Sequence, residues 1–234
     1  MLSSTYQQSS ANNPRYSAID PDNRLLWHAN IRRLEFEAVR DSLLAMGGKL
    51  DLTMGGHAVN LGATPYSTRR TVYGYVDRRN LPEVFNQFDF ANPDITTGKR
   101  YETIVPQQAL FMMNSPLVVE SARNLVNRPE FKNTTGAEAR IKLLYDIVYQ
   151  REPSDVEIQL GLNFLTEAPA PETPIAPVSY ERPEKKDGKK GNGKKGGGQA
   201  MSLATIPPRG LMPVGAWAKY AHALLQANEA MFIN

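Results

Sequence analysis

The sequence predicts a mainly α fold: a multi-helix globular domain with a minor short-strand element and a long disordered Pro/Gly/Lys insertion. Three observations carry that expectation. Asp20–Met46 holds a clear helical period with no Gly or Pro after Pro21. Residues 137–167 read as two amphipathic helices around the turn Arg151-Glu152-Pro153. Gly188–Gly198 is nearly pure Gly and Lys, a composition that cannot bury enough apolar surface to offset the entropy of ordering.

In chain order, residues 1–19 are polar and turn-rich and predict an extended opening segment. A helical domain is expected over 20–167. Its central helix is Asp20–Met46, with Asp20 or Asp22 as N-cap and Gly47-Gly48 as the stop. On a helical wheel Trp27, Ile31, Leu34, Ala38 and Ala45 fall on one side. Leu25, Phe36, Val39, Leu43 and Met46 fall nearly opposite. Two apolar stripes imply a helix packed on both flanks. The glycines and Pro65 of 49–68 predict an ordered loop, and the β-branched, aromatic Thr71–Val76 predicts a strand. Asn80 is placed to cap a short helix at Pro82–Phe88. Pro106 opens another, and Ser115 with Pro116 starts a third through Val126. In the hairpin, Ile141, Leu144, Tyr145 and Val148 share a face. Ser154 with Glu157 forms a capping box ahead of Ile158, Leu162 and Leu165. Residues 168–213 hold eight of the 17 prolines and predict a linker or long surface loop. The last segment, 214–234, is expected to be a helix over Val214–Phe232 that docks back on the domain through Trp217, Leu224, Leu225 and Met231.

Charge and composition exclude several functions. The formal net charge is +3, but Glu181–Lys195 alone nets +4, so the remaining chain nets −1 and the globular part is not basic. There is no cysteine, which excludes disulfides, thiolate metal sites, covalently attached haem and a cysteine nucleophile within this chain. No apolar run approaches the ~18 residues of a membrane span, and the first residues lack a signal-peptide pattern.

The combination of stretches resembles a known family. NPRY, then DPDNRLLW and RRLEFEAVRDSLLAMGGKLDLTMGG, are similar to the opening of the planctomycete domain-of-unknown-function family fifteen fifty-three. RRTVYGYVDRRNLPEVFNQFDFANPD, VPQQALFMMNSP, REPSDVE and LLQANEAMF resemble its later blocks in the same order. The match runs from Ser3 to Ile233, apart from the Pro and Gly/Lys insertion. The resemblance implies the C-terminal domain of a large exported, extracytoplasmic protein, with c-type haem in upstream domains and no cofactor in this chain. Its partners would be other domains of the same polypeptide or another protein. The family pattern begins with helices that precede this sequence, so Met1 is expected to be an internal methionine or a truncated start. No catalytic residues transfer from the family.

The candidate site is therefore read from the residues. Arg33, Glu37, Arg40 and Asp41 lie on the strip between the two apolar stripes, and Arg69, Arg70, Asp77, Arg78, Arg79 and Asn80 bracket Thr71–Val76. Of these, Arg33, Glu37, Arg40, Asp41, Arg70, Asp77 and Arg78, together with Asp94, form a polar cluster in which pKa values could shift and anions bind. The favoured reading is a satisfied ion-pair network, because buried charges are normally paired. Tyr73-Gly74-Tyr75-Val76 mimics part of an RNA-recognition strand. The basic-Gly pair that should precede it is Thr71-Val72, and Arg78 stands where an aromatic is due, so nucleic acid is disfavoured. His28, His57 and His222 show no metal-binding spacing, and loop-borne His57 has the most freedom to act as acid or base. The leading expectation is a non-catalytic accessory or interaction domain. One alternative is an enzyme acting on extracellular carbohydrate, using Arg40, Asp77 or Asp94, with Asp20/Asp22 or Asp89/Asp94 as a carboxylate pair. The other is polyanion binding through the Lys/Gly run, which deletion of 185–198 would abolish.

Overall fold

A computed structural model describes residues 2–79, 81–167 and 215–233. The described chain is mainly helical: α1 (Pro14–Ile19), α2 (Phe36–Met46), α3 (Glu83–Gln87), α4 (Pro106–Asn114), α5 (Pro116–Val126), α6 (Pro129–Asn133), α7 (Ala137–Tyr149), α8 (Asp155–Glu167) and α9 (Ala216–Gln226). Two two-residue strands, β1 (Arg32–Arg33) and β2 (Phe232–Ile233), pair antiparallel with Arg32 opposite Ile233 and Arg33 opposite Phe232.

The core is organised on α5. Its sequence PLVVESARNLV buries Val118, Val119, Ala122 and Leu125 completely, and α9 lays Ala221 and Leu225 against it. Small residues at Ala218 and Ala221 let the two helix backbones approach, since interaxial distance follows contact side-chain size. α7 adds Ile141 and Leu144, both fully buried, and α2 adds Phe36, Val39 and Leu43. On α8, Gly161 is forced by packing: a Cβ there would sit 2.6 Å from the Tyr220 hydroxyl and 2.9 Å from Ile141 Cδ1. A cluster of Phe36, Phe85, Phe88 and Phe111 fastens α3 and α4 to α2, with Phe36–Phe85 centroids 5.2 Å apart.

The helices expected over Pro106–Asn114, Pro116–Val126 and the hairpin are present; α4 and α5 each carry proline in the first turn, and α7 starts after Gly136. Ser154 and Glu157 do form the capping box: Ser154 N donates to Glu157 Oε2 at 2.7 Å, and Glu157 N donates to Ser154 Oγ at 3.4 Å. Ser115 occupies the N-cap position of α5 without a side-chain capping bond.

Three expectations are corrected. The central helix does not begin at Asp20; it begins at Phe36. The Asp20 carboxylate accepts from Arg24 N and Leu25 N at 3.0 and 2.8 Å, while Asn23 and Leu26 take left-handed backbone. Asp and Asn side chains thus offer the backbone local bonds that compete with a helix. The double stripe accordingly fails, with Leu25 and Ile31 on the surface. Second, Thr71–Val76 is not a strand. Thr71–Tyr73 is a 3-10 turn, and Gly74 makes only an isolated parallel bridge with Val59. Strand pairing instead falls on Arg32–Arg33, which sequence assigned to a helix. Third, the segment expected to be extended carries α1, capped by the Asn13 side chain on Arg15 N at 3.0 Å. The cap of α3 lies at Pro82, and Asn80 falls outside the described residues. So do the insertion 168–213, its Lys run, and Val214; the final helix is Ala216–Gln226.

Candidate functional site

Arg40 projects from the packed face of α2 and is 1% exposed. Its Nη1 donates to the Arg69 carbonyl at 2.9 Å and to Thr71 Oγ1 at 3.1 Å, and its Nη2 donates to the Ser67 carbonyl. Next to it, Asp41 accepts from Thr71 N and Thr71 Oγ1, both at 2.7 Å, and from Arg70 Nε at 3.2 Å. Thr71 therefore bridges cation and anion, which explains why its side chain is buried in a turn. Burial lowers the pKa of Arg40, and the neighbouring Asp41 charge opposes that shift. The expected Arg40, Asp41 and Arg70 do converge.

The other members of the predicted cluster go elsewhere. Arg33, in β1 rather than on α2, pairs with Asp89 at 3.2 Å and donates to Gln108 Oε1. Asp89 also accepts from Thr103 N at 2.8 Å, and Gln108 Nε2 donates to the Gln87 carbonyl at 2.7 Å. This second node ties β1, α3 and α4 together. Glu37 is held by both Nη atoms of Arg100, which also reaches Glu35. The Glu37 hydrogen bond pushes the Arg100 pKa up, against burial, which lowers it. Arg78 and Asp94 form an exposed pair at 3.6 Å, and Asp77 accepts from Arg79 N at 2.9 Å. The eight candidates thus divide among separate networks instead of lining one site. Arg100 had no local signature, because its partner Glu37 lies 63 residues away, whereas Gln108 at N3 of α4 also accepts locally from Val105 N at 3.2 Å.

One cavity of about 370 Å³ opens between α2, α3, the start of α5 and the loop around Leu61. Its walls include Phe36, Val84, Phe85 and Leu117, with Arg40 on the same surface and Tyr66, Asp77 and Glu83 also lining it. Leu61 reaches this wall only because residue 74 is glycine: a Cβ at Gly74 would collide with the Leu61 side chain. Burial, with a smaller contribution from Glu120, pushes the Tyr66 hydroxyl pKa up, so this phenol stays protonated.

A family model described as PSD1, protein of unknown function (DUF1553), matches residues 1–165. The chain belongs to the DUF1553 family. No curated protein and no solved structure matches it. In this DUF1553 domain the matched region takes in both arginine nodes and the cavity, while α9 and β2 lie beyond it.

The remaining candidates are placed as follows. His28 Nδ1 lies 2.8 Å from the Ala29 carbonyl and its ring stacks edge-on against Trp27. His222 is buried on α9, 3.2 Å from the Met112 carbonyl, and desolvation lowers its pKa. His57 is exposed in its loop. Among the described residues no group of three His, Cys, Asp or Glu could hold a metal ion, and no helix is long and apolar enough to cross a membrane. Of the aspartate pairs expected for glycosidic chemistry, Asp20 is stapled to local backbone, Asp89 is bound by Arg33 and Thr103, and Asp94 faces Arg78. A hub that sequence reading missed is Arg151, which pairs with Glu157 at 2.7 Å and with Glu229 at 2.6 Å. It joins the hairpin turn to the C-terminal segment.

Proposed function

We propose that this DUF1553 domain is a non-catalytic accessory domain that acts by contact with other domains of its own polypeptide or with a protein partner. The observation that carries the reading is the commitment of the polar cluster to structural bonds. Arg33 is bound to Asp89, Arg40 to loop carbonyls, Asp41 to Thr71 and Arg70, and Glu37 to Arg100. A group that serves as acid, base or nucleophile needs a proton position open to substrate, and these groups spend theirs on the fold. The resemblance to exported planctomycete proteins adds an extracytoplasmic setting, with haem confined to upstream domains.

The test is titration calorimetry of the 234-residue chain against separately expressed domains of the kind that the family resemblance places upstream of it. Saturable binding supports the reading; no heat of association with any of them refutes it.

A second reading has one observation in its favour. Asp77 and Glu83, two carboxylates, line one cavity with Arg40, where a hydrolase acting on extracellular carbohydrate would place its acid and base. Hydrolysis of a chromogenic glycoside that is lost in both Asp77→Asn and Glu83→Gln would replace the accessory reading with this one.

A further inference from the structure

Asp77 and Glu83 are carboxylates that the arginine networks pass over. Around them, Asp41 pairs with Arg70, Asp89 with Arg33, Asp94 with Arg78 and Glu37 with Arg100. Asp77 instead accepts the Arg79 backbone N–H on Oδ1, and Glu83 accepts a 3.4 Å bond from Gln87 Nε2 on Oε1. Among the described residues neither has an ion pair, and Asp77 Oδ2 and Glu83 Oε2 have no donor. Both side chains line the cavity. Arg40 reaches the same wall but does not neutralise them. It is 1% exposed, its Nη atoms are spent on loop carbonyls and Thr71, and Asp41 stands beside it as counter-charge.

The cavity's two tyrosines point to the same sign of charge. An aromatic face is negative and attracts a cation, and this protein uses that repeatedly: arginines lie over Tyr73, Phe90 and Tyr145 at 4.3–5.3 Å from the ring centroids. Tyr66 and Tyr75 have neither a cation over the ring nor a ring neighbour among the described residues. The floor between them is apolar, built from Phe36, Val84, Phe85 and Leu117, all buried. At about 370 Å³ the volume falls within the ~300–1,000 Å³ of small-molecule pockets.

We propose that this cavity binds a small organic amine, a primary ammonium ion carried on an aromatic or aliphatic body. The ammonium is placed by Asp77, Glu83 and the tyrosine rings, and the body by the apolar floor. Charge complementarity selects the class. The wall offers two carboxylates without a cation, so an anion is repelled and a neutral ligand leaves the attraction unused. A primary ammonium has three N–H donors, and hydrogen bonds from a cation to a carboxylate are about twice as strong as neutral ones. The apolar floor, in turn, gives a bare metal ion or free ammonium nothing to bury. The proposal goes beyond the accessory-domain reading and does not depend on it: failure to bind an upstream domain leaves the cavity unaffected.

The experiment titrates the 234-residue chain with phenethylamine, using calorimetry and ligand-induced thermal shift. Two compounds with the same body, 2-phenylethanol and phenylacetate, are the controls. Saturable binding is expected for the amine, weaker by roughly tenfold or more for the alcohol and for the acid. The double variant Asp77→Asn, Glu83→Gln should bring the amine down to the level of the alcohol. Tyr75→Leu keeps an apolar side chain but removes the ring, and should weaken the amine by roughly threefold. Glu167→Gln, an exposed carboxylate at the end of α8, should leave binding unchanged. The proposal is overturned if the folded chain does not bind the amine saturably or if either control matches it. It is equally overturned if the double variant or Tyr75→Leu binds as the parent does, or if Glu167→Gln weakens binding as much. Asp77, Glu83 and Tyr75 lie outside the hydrophobic core, and asparagine at 77 keeps the acceptor for Arg79 N, so these variants fold and the comparison decides the question.

Discussion

The contact between α5 and α9 and the loop gathered around Arg40 are both closed to water, yet they are built from opposite materials. In the first, Val118, Val119, Ala122 and Leu125 meet Ala221 and Leu225, and no polar side-chain atom is needed. In the second, a guanidinium collects the carbonyls of Ser67 and Arg69 and the hydroxyl of Thr71. Hydrophobic burial is non-directional and tolerates small rearrangements. A fork of hydrogen bonds from one buried cation fixes a loop in a single register but leaves unsatisfied groups behind when it is broken. The helical half should therefore fail globally when damaged, and the loop half locally.

The largest effect is expected in the helical half. Leu125→Ala removes a fully buried side chain from the α5–α9 contact. It should cost about 3–4 kcal/mol, the middle of the range for leucine truncations that leave a cavity. Denaturant unfolding would show one lower midpoint for all probes. Separate transitions for the α5–α9 region and the loop would mean that the two halves are not one cooperative unit.

Arg40→Met probes the other half. The methionine keeps the apolar stem but returns the Ser67 and Arg69 carbonyls and Thr71 Oγ1 to an unsatisfied state. A loss of about 2–3 kcal/mol follows from breaking hydrogen bonds to a charged group. Hydrogen exchange should locate it: faster exchange at Thr71 N and Val59 N, and little change along α5 and α9. Equal acceleration everywhere would contradict the local nature of this node.

That contrast also explains what could be read in advance. The faces of α7 and α9 repeat at the helical period, and the Ser154/Glu157 box is contained within four residues. Such signals are local in the chain, so they are legible. The fate of Arg33 was not, because it depends on Asp89, Gln108 and the pairing of Phe232 with β1. Residues 20–35 have a helical period but fold otherwise, because Asp20 and Asn23 supply short-range bonds that outcompete the helix there. Arg40, Asp41 and Arg70, expected in one polar cluster, meet around Thr71. The charged strip on the helix brought Arg40 and Asp41 together, but no local spacing joined them to Arg70, and the cavity beside Arg40 depends on loop geometry that spacing does not encode.

Smaller effects come from the edges of the helical half. Ser154→Ala removes the cap of α8 and should cost about 1 kcal/mol, measured as a shift in unfolding midpoint. Its partner Glu157 adds a pH signature. The Arg151 hydrogen bond, followed by the Ser154 bonds, holds the Glu157 carboxyl down from 4.5 to about 2. A depressed carboxylate pKa stabilises the native state above the unfolded value, so this contribution is present above about 4.5 and is lost as pH falls toward 2. Glu157→Gln should flatten the acid limb of the stability profile in that window. An unchanged acid limb would show that the Arg151 hub contributes nothing to it.

His222 lies between the two materials, a polar side chain inside the α4–α9 contact. Desolvation, only partly offset by the Met112 carbonyl, lowers its pKa, so it is buried neutral. The unfolded chain then binds the extra proton at higher pH than the native one. Stability present above the ordinary histidine value of about 6.5 should decline as pH falls below it, and His222→Gln should remove that slope.

The smallest effect belongs to Arg78→Ala. This arginine meets Asp94 at 3.6 Å with both side chains largely in water, where Coulomb attraction is screened and holding two side chains in place costs entropy. Its loss should change stability by no more than about 0.5 kcal/mol. The value of the measurement lies in the contrast with Arg40. Both are arginines drawn from the same predicted cluster, and sequence gives no reason to rank them. If their alanine or methionine variants proved equally costly, burial would not be what separates a structural arginine from a surface one in this domain. If Arg78 is silent while Arg40 is not, burial, and the hydrogen bonds that burial makes obligatory, set the rank.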